Sequence, residues 1–180
     1  MSSSAPITWG RESVLQFLDA QGIGYREARH KAVCTMAESA ALDLPLTGCR
    51  CKNLLVQGKR GTNRFLVLTP AEASVDLGAL GRTLVVGRLS LCPPDEMLRL
   101  LGVAPGAMSP FALVADTESK VRLLMDAQLG NTRHFLFHPF VNTATVAIDA
   151  NGLGRFLAAT GHSLEIVAMP RRTTAVDASA

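Results

Sequence analysis

Two kinds of chemistry meet in the stretch CRCKNLLV, residues 49–56, where a Cys-x-Cys pair directly precedes Lys52. Paired cysteines are typical of metal ligands, whereas a lysine at the start of an apolar strand offers a cation to a phosphate or a carbonyl group. A zinc site would need a second close pair or suitably spaced histidines. Cys34 and Cys92 are isolated, and the four histidines are scattered. The pattern therefore favours the cation, and no metal or cofactor is expected.

Two further stretches carry residues that could bind a ligand. GVAPGAMSPF, residues 102–111, is either an ordinary connector or a loop whose backbone N–H groups hold a carbonyl oxygen or an oxyanion. HPFVNTATVAI, residues 138–148, places His138, Asn142 and Thr143 just ahead of a predicted strand, and each of them offers a donor or an acceptor. A lone histidine at such a place also fits a structural role.

None of the common nucleotide-binding, metalloprotease or serine-hydrolase motifs occurs in the chain, and no nucleophile–base triad can be assembled from it. If the protein hydrolyses a substrate, catalysis must rest on positioning of the reactants and on electrostatic stabilisation. The basic run GKRGTNR, residues 58–64, reads as a solvated hairpin tip that could also contact an RNA backbone.

The composition predicts one globular domain over residues 1–180, with 48% hydrophobic and 18% charged residues. The net charge of +3 is compatible with an RNA partner, and the aromatic content of 5% argues against extensive base stacking. No apolar run is long enough to span a bilayer and no secretion signal is visible, so a soluble cytoplasmic protein without a membrane partner is expected.

Hydrophobic periodicity, caps and turn residues predict an alternation of helices and strands without a regular βαβ rhythm. The predicted helices are 11–21, 36–44, 76–82, 96–102 and 149–160, and the predicted strands are 25–30, 52–57, 64–69, 83–91, 111–115, 120–126, 134–137, 143–148 and 164–168. Strands 52–57 and 64–69 form the clearest hairpin. The pattern favours an α+β fold with a mixed sheet wrapped by helices, an ordered core at about residues 10–168 and a flexible tail, 170–180.

Four of these segments together resemble the YbaK/prolyl-tRNA-editing domain family. They are KNLLV at 52–56 with its hairpin, VDLGAL at 75–80, GVAPGAMSPF at 102–111 and HPFVNTATV at 138–146, in that order over roughly residues 10–168. The HPxxNTAT segment is similar to that of the free-standing alanyl-tRNA(Pro) deacylases.

The resemblance implies a mixed, curled, barrel-like sheet flanked by helices, and hydrolysis of the ester that joins a wrong amino acid to tRNA(Pro). Prolyl-tRNA synthetase admits the smaller alanine, and a second site then removes it, here in trans. Lys52 would anchor the terminal adenosine's phosphate or the aminoacyl group, while backbone amides from Gly106 to Pro110 would hold the developing oxyanion. Water, assisted by a substrate hydroxyl, would attack.

The remaining residues implied by the resemblance serve to bind substrate. His138, grouped with Lys52, Gly106 and Pro110 as catalytic, would shape the pocket or bind the α-amino group together with Asn142. The other residues expected at the substrate are Asn53, Ala107, Met108, Ser109 and Thr143. The stretch HKAVCTM, residues 30–36, is a candidate for the wall that excludes proline.

Three alternatives remain open at this point. The same fold could clear another mischarged amino acid, such as cysteine or serine. The protein could be a non-catalytic module that binds tRNA or a synthetase. It could also be a structural zinc protein that uses Cys49 and Cys51. The expected partner is mischarged tRNA(Pro), with prolyl-tRNA synthetase or elongation factor as further candidates.

Overall fold

A computed structural model of the chain describes residues 8–172, and within them lie five α-helices and eight β-strands. The helices are α1 Arg11–Ala20, α2 Met36–Ala40, α3 Leu77–Thr83, α4 Pro94–Leu101 and α5 Ala150–Ala159. The strands are β1 Tyr25–Arg29, β2 Cys49–Gln57, β3 Arg64–Pro70, β4 Ser90–Leu91, β5 Val121–Asp126, β6 His134–Phe137, β7 Ala144–Asp149 and β8 Leu164–Val167.

All eight strands belong to one mixed sheet, as the sequence predicts. The order is β1-β7-β6-β2-β3-β5-β8, with β4 paired to the far end of β2. The pairs β2–β6, β3–β5 and β5–β8 are parallel, and the others are antiparallel. The predicted hairpin is β2–β3, whose tip is a short 3-10 turn at Lys59–Gly61.

The central strand β3 explains where the core sits. Its five inner residues, 65–69, are all buried, as expected for a strand covered on both faces. Leu66 and Leu68 point into a large core that also contains Phe111 and Phe156, whose rings meet edge to face. Phe65 lies in a smaller core on the opposite face. Burial on both sides of one hairpin fixes its register, because a shift by one residue would exchange the two faces.

Polar side chains cap the N-termini of three helices, close to where the sequence predicts each helix to begin. Thr35 accepts a hydrogen bond from the Glu38 N–H, and the Glu38 carboxylate in turn accepts from the Thr35 N–H, which completes a capping box. The backbone N–H groups of Cys34 and Thr35 both donate to the Glu38 carboxylate, and they lower its pKa. Asp76 and Asp149 cap α3 and α5 in the same way.

Three predicted elements are wrong. The helix predicted over 36–44 ends at Ala40, and the carbonyl oxygens of Leu42 and Pro45 beyond it accept hydrogen bonds from Arg50 and Arg26. The strand predicted over 83–91 is reduced to Ser90–Leu91, because the chain turns at positive φ upstream of it. The strand predicted over 111–115 is a buried 3-10 helix, Pro110–Ala115. A short apolar run does not distinguish these states.

The predicted tail begins with ordered contacts. The N–H of Asp76 donates to the Pro170 carbonyl, and the N–H of Arg172 donates to the Ser74 carbonyl, both at 2.9 Å. The rest of that tail, residues 173–180, lies outside the described residues. Within residues 8–172, no helix is long and apolar enough to cross a membrane.

Candidate active site

The candidate site lies where two parallel strands diverge. β2 and β6 pair only at Cys49–Phe135 and Arg50–Leu136. Beyond these two pairs β2 continues along β3, whereas β6 ends at Phe137. A gap at the carboxyl end of a strand, where its neighbour departs, is a common place for a ligand to bind.

The gap holds a cavity of about 150 Å³. This is smaller than the roughly 300–1,000 Å³ typical of small-molecule pockets, so only a small group can enter it. We call it the β2–β6 cavity. Its lining comes from β2, from β6 and the residue after it, from β7, from the loop after α4, and from the segment before and within α2. The lining residues are Val33, Cys34, Thr35, Met36, Ser39, Arg50, Cys51, Lys52, Asn53, Gly106, Met108, Leu136, Phe137, His138 and Thr145.

Five of the ten predicted site residues therefore meet around this cavity. They come from three distant stretches of the sequence that the fold brings together, and they are Lys52, Asn53, Gly106, Met108 and His138. The stretch proposed as a wall, residues 30–36, also lines it, from Val33 to Met36. The functions assigned to these residues stay predictions.

Lys52 is half-buried, and its ammonium is oriented by the protein backbone. Its Nζ atom donates a hydrogen bond of 2.8 Å to the carbonyl oxygen of Ala73. A lysine ammonium carries three N–H donors, so two are left for a ligand. The side chain leaves β2 on the same face as Leu54 and Val56, while Cys51 and Leu55 enter the large core on the other face.

Asn53 offers an acceptor without a partner. Its Oδ1 atom is buried and forms no hydrogen bond among residues 8–172, and its Nδ2 group makes only a long contact of 3.4 Å with the Cys51 carbonyl. A buried polar atom without a partner destabilises the fold by about 1–3 kcal/mol, so such atoms are found where a ligand or a water molecule satisfies them.

His138 presents one free nitrogen at the cavity. Its Nδ1 donates to the Ala144 carbonyl at 2.8 Å, which leaves Nε2 as an acceptor in the neutral ring. Burial lowers the pKa of His138 below its usual 6.5 against the opposing effect of that hydrogen bond, and His30, with ring centres 5.8 Å apart, lowers it further. The imidazole is therefore neutral near pH 7.

The loop after α4 turns its backbone towards the cavity at Gly106. The φ angle of +86° at this residue is a left-handed conformation that glycine adopts without strain. The N–H of Ala107 donates to the Ala104 carbonyl, whereas the N–H groups of Gly106 and Met108 have no acceptor within the described part of the chain. Two such donors beside a cavity can bind an oxygen that carries negative charge.

The other five predicted site residues do not line the cavity. Ala107, Ser109 and Pro110 are buried behind it, and the Ser109 hydroxyl donates to the His138 carbonyl at 2.7 Å, which joins the loop to the end of β6. Asn142 exchanges two hydrogen bonds with the backbone of Val33. Thr143 is exposed, and its carbonyl accepts from the His30 N–H. These residues hold the walls in place.

Sequence reasoning missed Ser39 of α2 and two polar cavity residues that lie on strands. Arg50 precedes Lys52 by two positions, so both share one face of β2. Thr145 is buried, and its hydroxyl lies 2.9 Å from the His30 Nε2. Strand alternation could have suggested both residues. His30 belongs to the stretch proposed as a wall, but its contact with Thr145 depends on the β1–β7 pairing, which strand alternation does not reveal.

Cys51 and Cys92 are small core residues, whereas Cys49 is half-buried and Cys34 is exposed. Cys51 is 5% exposed, and its burial, with a smaller contribution from Cys49, raises the pKa of its thiol well above the usual range. The two sulfur atoms are 3.9 Å apart, and all four cysteines are free. Across residues 8–172, no group of three or more histidine, cysteine, aspartate or glutamate side chains is arranged to hold a metal ion.

The comparisons with known proteins assign the chain to a class and then to a family. The class is that of the aminoacyl-tRNA deacylases, which are hydrolases, because the chain matches the model of the aminoacyl-tRNA editing domain over residues 30–156. That span includes the strands and loops of the β2–β6 cavity. The chain therefore belongs to the aminoacyl-tRNA editing domain family, which confirms the resemblance seen in its sequence.

Similar proteins share most of their length with this chain. It is 26% identical over 157 residues to the prolyl-tRNA editing protein ProX of Acetoanaerobium sticklandii, covering 87% of this chain and 96% of that protein. It is 33% identical over 155 residues to the prolyl-tRNA synthetase associated domain-containing protein 1 of Danio rerio, covering 85% and 84%. A crystal structure of a candidate trans-editing enzyme for prolyl-tRNA synthetase shares the fold, with a TM-score of 0.66 at 21% identity, covering 94% and 100%.

Proposed function

We propose that the protein hydrolyses Ala-tRNA(Pro) in trans, in the cytoplasm, and releases alanine and intact tRNA(Pro). The observation that supports this most strongly is the convergence of Lys52, Gly106 and His138 on one small cavity. Family membership supplies the reaction class. The choice of tRNA(Pro) is supported by similar proteins whose names refer to prolyl-tRNA editing or to prolyl-tRNA synthetase.

The proposed reaction uses positioned water. Its oxygen attacks the ester carbonyl carbon, and the free ribose hydroxyl of the terminal adenosine assists by relaying a proton from this water to the ester oxygen that leaves. The carbonyl oxygen becomes an oxyanion that the N–H groups of Gly106 and Met108 stabilise. The C–O bond then breaks, and the ribose oxygen leaves with a proton. An aminoacyl ester is already activated, so no protein nucleophile is needed.

Three side chains hold the substrate in this scheme. The two remaining N–H donors of Lys52 anchor the phosphate of the terminal adenosine or the aminoacyl group. The Nε2 atom of neutral His138 and the Oδ1 atom of Asn53 accept hydrogen bonds from the α-ammonium group. Both acceptors are without a partner among residues 8–172, so substrate binding satisfies them.

The proposed selectivity rests on the size of the cavity. The alanine side chain is a single methyl group, and the volume of about 150 Å³ leaves little more room once the ester and amino group are in place. The backbone from Val33 to Met36 forms the wall that would collide with a proline ring. One or two methylenes distinguish substrates by only about 1–3 kcal/mol each, so recognition of the tRNA, with prolyl-tRNA synthetase or elongation factor as possible partners, must supply further selectivity.

Single-turnover hydrolysis tests this proposal. The substrates are Ala-tRNA(Pro), Pro-tRNA(Pro), Ala-tRNA(Ala), Cys-tRNA(Pro) and Ser-tRNA(Pro). We expect Ala-tRNA(Pro) to be hydrolysed fastest, and Lys52→Ala to lower that rate about 100-fold, as for loss of a charge-assisted hydrogen bond worth ~3 kcal/mol. The exposed Lys120, which pairs with Glu118 ahead of β5, provides the matched control, and Lys120→Ala should keep the rate.

Two results would contradict the proposal. If another aminoacyl-tRNA is cleaved faster than Ala-tRNA(Pro), the assigned substrate is wrong. If no substrate is cleaved above the buffer rate while tRNA still binds, the chain is a binding module. Full activity of Lys52→Ala would remove Lys52 from the mechanism.

A further inference from the structure

The last described residues form a strap across the loop beside Lys52. Pro170–Arg172, which we call the C-terminal strap, pair with Ser74–Asp76 through a bridge at Val75–Arg171 and the two backbone hydrogen bonds described above. The strap follows β8 and lies outside residues 30–156, the span that the family model matches. Arg171 thus lies outside the matched span, whereas its partners Thr69 and Asp126 lie inside it.

The loop under the strap carries the carbonyl that holds Lys52. Ala73 directly precedes Ser74, and its oxygen accepts the 2.8 Å hydrogen bond from the Lys52 ammonium. The strap thus fixes the position of the one protein atom found bonded to that ammonium within residues 8–172. A displacement of this loop would let the flexible lysine side chain sample other rotamers.

A second set of contacts runs from the strap to the strand opposite Lys52. The Arg171 guanidinium donates to the Asp126 carboxylate at 2.5 Å and to the Thr69 hydroxyl at 3.2 Å. The Thr69 hydroxyl donates to the same carboxylate at 3.0 Å. Thr69 is the direct partner of Lys52 across the β2–β3 pair, so both side chains lie on one face, with Cβ atoms roughly 5 Å apart.

Arg171, Thr69 and Asp126 form a cluster around a buried carboxylate. The Asp126 side chain is 2% exposed and that of Arg171 is 32% exposed, so the carboxylate depends on its few partners. The planar guanidinium donates to the Asp126 carboxylate and to the Thr69 hydroxyl at once, which a single ammonium group cannot do with the same geometry. The cluster therefore fixes both the strap and the end of β3.

We propose that Arg171 is a positioning residue for Lys52: through the strap and through Thr69, it holds the ammonium where substrate is bound. This rests on the proposed function, because it treats Lys52 as the substrate anchor. Arg171 touches neither substrate nor the reacting atoms, and it acts by restricting the lysine to one rotamer.

The first test compares two arginines that each pair with a carboxylate. Arg171→Ala should lower single-turnover hydrolysis of Ala-tRNA(Pro) about tenfold. The change should appear in the same kinetic parameter that Lys52→Ala changes, either the maximal rate or the half-saturating concentration. Arg171→Lys should restore part of it. Arg122 pairs with Glu165 at 2.6 Å between β5 and β8, without contacts to Lys52 or Ala73, and Arg122→Ala should keep the wild-type rate. Equal rates for Arg171→Ala and wild type would overturn the proposal.

A double-mutant cycle separates positioning from general stability. In the Lys52→Ala background, Arg171→Ala should cause no further loss of rate, because its effect passes through the absent ammonium. An additive loss would show that Arg171 acts elsewhere. If the Arg171→Ala chain does not fold, Thr69→Val, which removes the bridging hydroxyl at nearly constant volume, replaces it in the same cycle.

A labelling experiment tests the inference without relying on activity. The rate at which an amine-reactive reagent modifies Lys52, read by peptide mass spectrometry, should rise several-fold in Arg171→Ala and stay unchanged in Arg122→Ala. If wild type cleaves no aminoacyl-tRNA but labelling rises as expected, the proposed function fails and the positioning contact survives. If wild type is active and labelling does not change, the positioning contact fails alone.

Discussion

Two histidines with largely buried rings have opposite surroundings in this protein. His138 lines the β2–β6 cavity, uses Nδ1 to donate to the Ala144 carbonyl, and keeps Nε2 without a partner among residues 8–172. His162 has a side chain that is only 2% exposed. Its Nε2 lies 3.1 Å from the Asp116 carboxylate, and its Nδ1 lies 3.1 Å from the Thr160 hydroxyl.

The difference in hydrogen bonding assigns His138 to the candidate site and His162 to a structural network. Asp116 also accepts the backbone N–H groups of Lys120 and Val121, so His162 joins the end of α5 to the start of β5 and has no nitrogen left for a ligand. His138 is held by one nitrogen and offers the other to the cavity. A histidine is thus assigned to chemistry by its unused nitrogen and not by its burial.

Removing His162 should have the largest effect, and on stability alone. His162→Ala leaves the buried Asp116 carboxylate without its side-chain partner and opens a cavity, so the free energy of unfolding should fall by about 3 kcal/mol. Urea unfolding measures this, with His134→Ala, at an exposed histidine of β6, as the control. Hydrolysis per folded molecule should stay at the wild-type level. A loss of hydrolysis in the folded fraction would break the distinction between the two histidines.

Replacing His138 should have the opposite effect. The amide group of asparagine can still donate to the Ala144 carbonyl, but His138→Asn loses the acceptor that faces the cavity. We expect single-turnover hydrolysis to fall about 30-fold, which corresponds to ~2 kcal/mol, with a change in unfolding free energy below about 1 kcal/mol. A stability loss as large as that of His162→Ala, with normal hydrolysis, would make His138 a structural residue as well.

Much of the fold follows from local patterns in the sequence. The hairpin β2–β3, the capping box at Thr35 and the caps at Asp76 and Asp149 all depend on residues close together in the chain. The errors arise where tertiary contacts override those patterns. Residues 111–114 pack in the large core as part of a 3-10 helix, and the φ of +56° at Val85 interrupts the first half of the predicted strand 83–91.

The candidate site was less accessible to sequence reasoning. Resemblance pointed to Lys52 and His138, but the divergence of β2 from β6 is a tertiary feature, and only it shows that they share a cavity. The same feature brings in Arg50 and Thr145, which no motif marks. The strap contact of Arg171 joins residues 45 positions apart, Arg171 and Asp126, and no local pattern signals it.

The smallest expected effect is a pH dependence that belongs to His138. Its folded-state pKa is lowered mainly by burial, whereas the unfolded chain has the ordinary value of 6.5. As the pH falls below 6.5, the unfolded chain therefore binds a proton that the folded protein disfavours at this position. Stability contributed by the neutral ring is complete above 6.5 and is lost as the pH decreases towards the folded-state pKa.

Urea unfolding of wild type and His138→Asn at pH 7.5 and pH 5.5 isolates this contribution. The free energy of unfolding should fall between the two pH values by less in His138→Asn than in wild type, because asparagine does not titrate. Replacing the exposed His134 by asparagine controls for the removal of one imidazole. An identical fall in wild type and His138→Asn would mean that the folded protein accommodates a charged ring at residue 138. Below pH 6.5 the Nε2 atom would then be a donor, and it could not accept a hydrogen bond from an α-ammonium group.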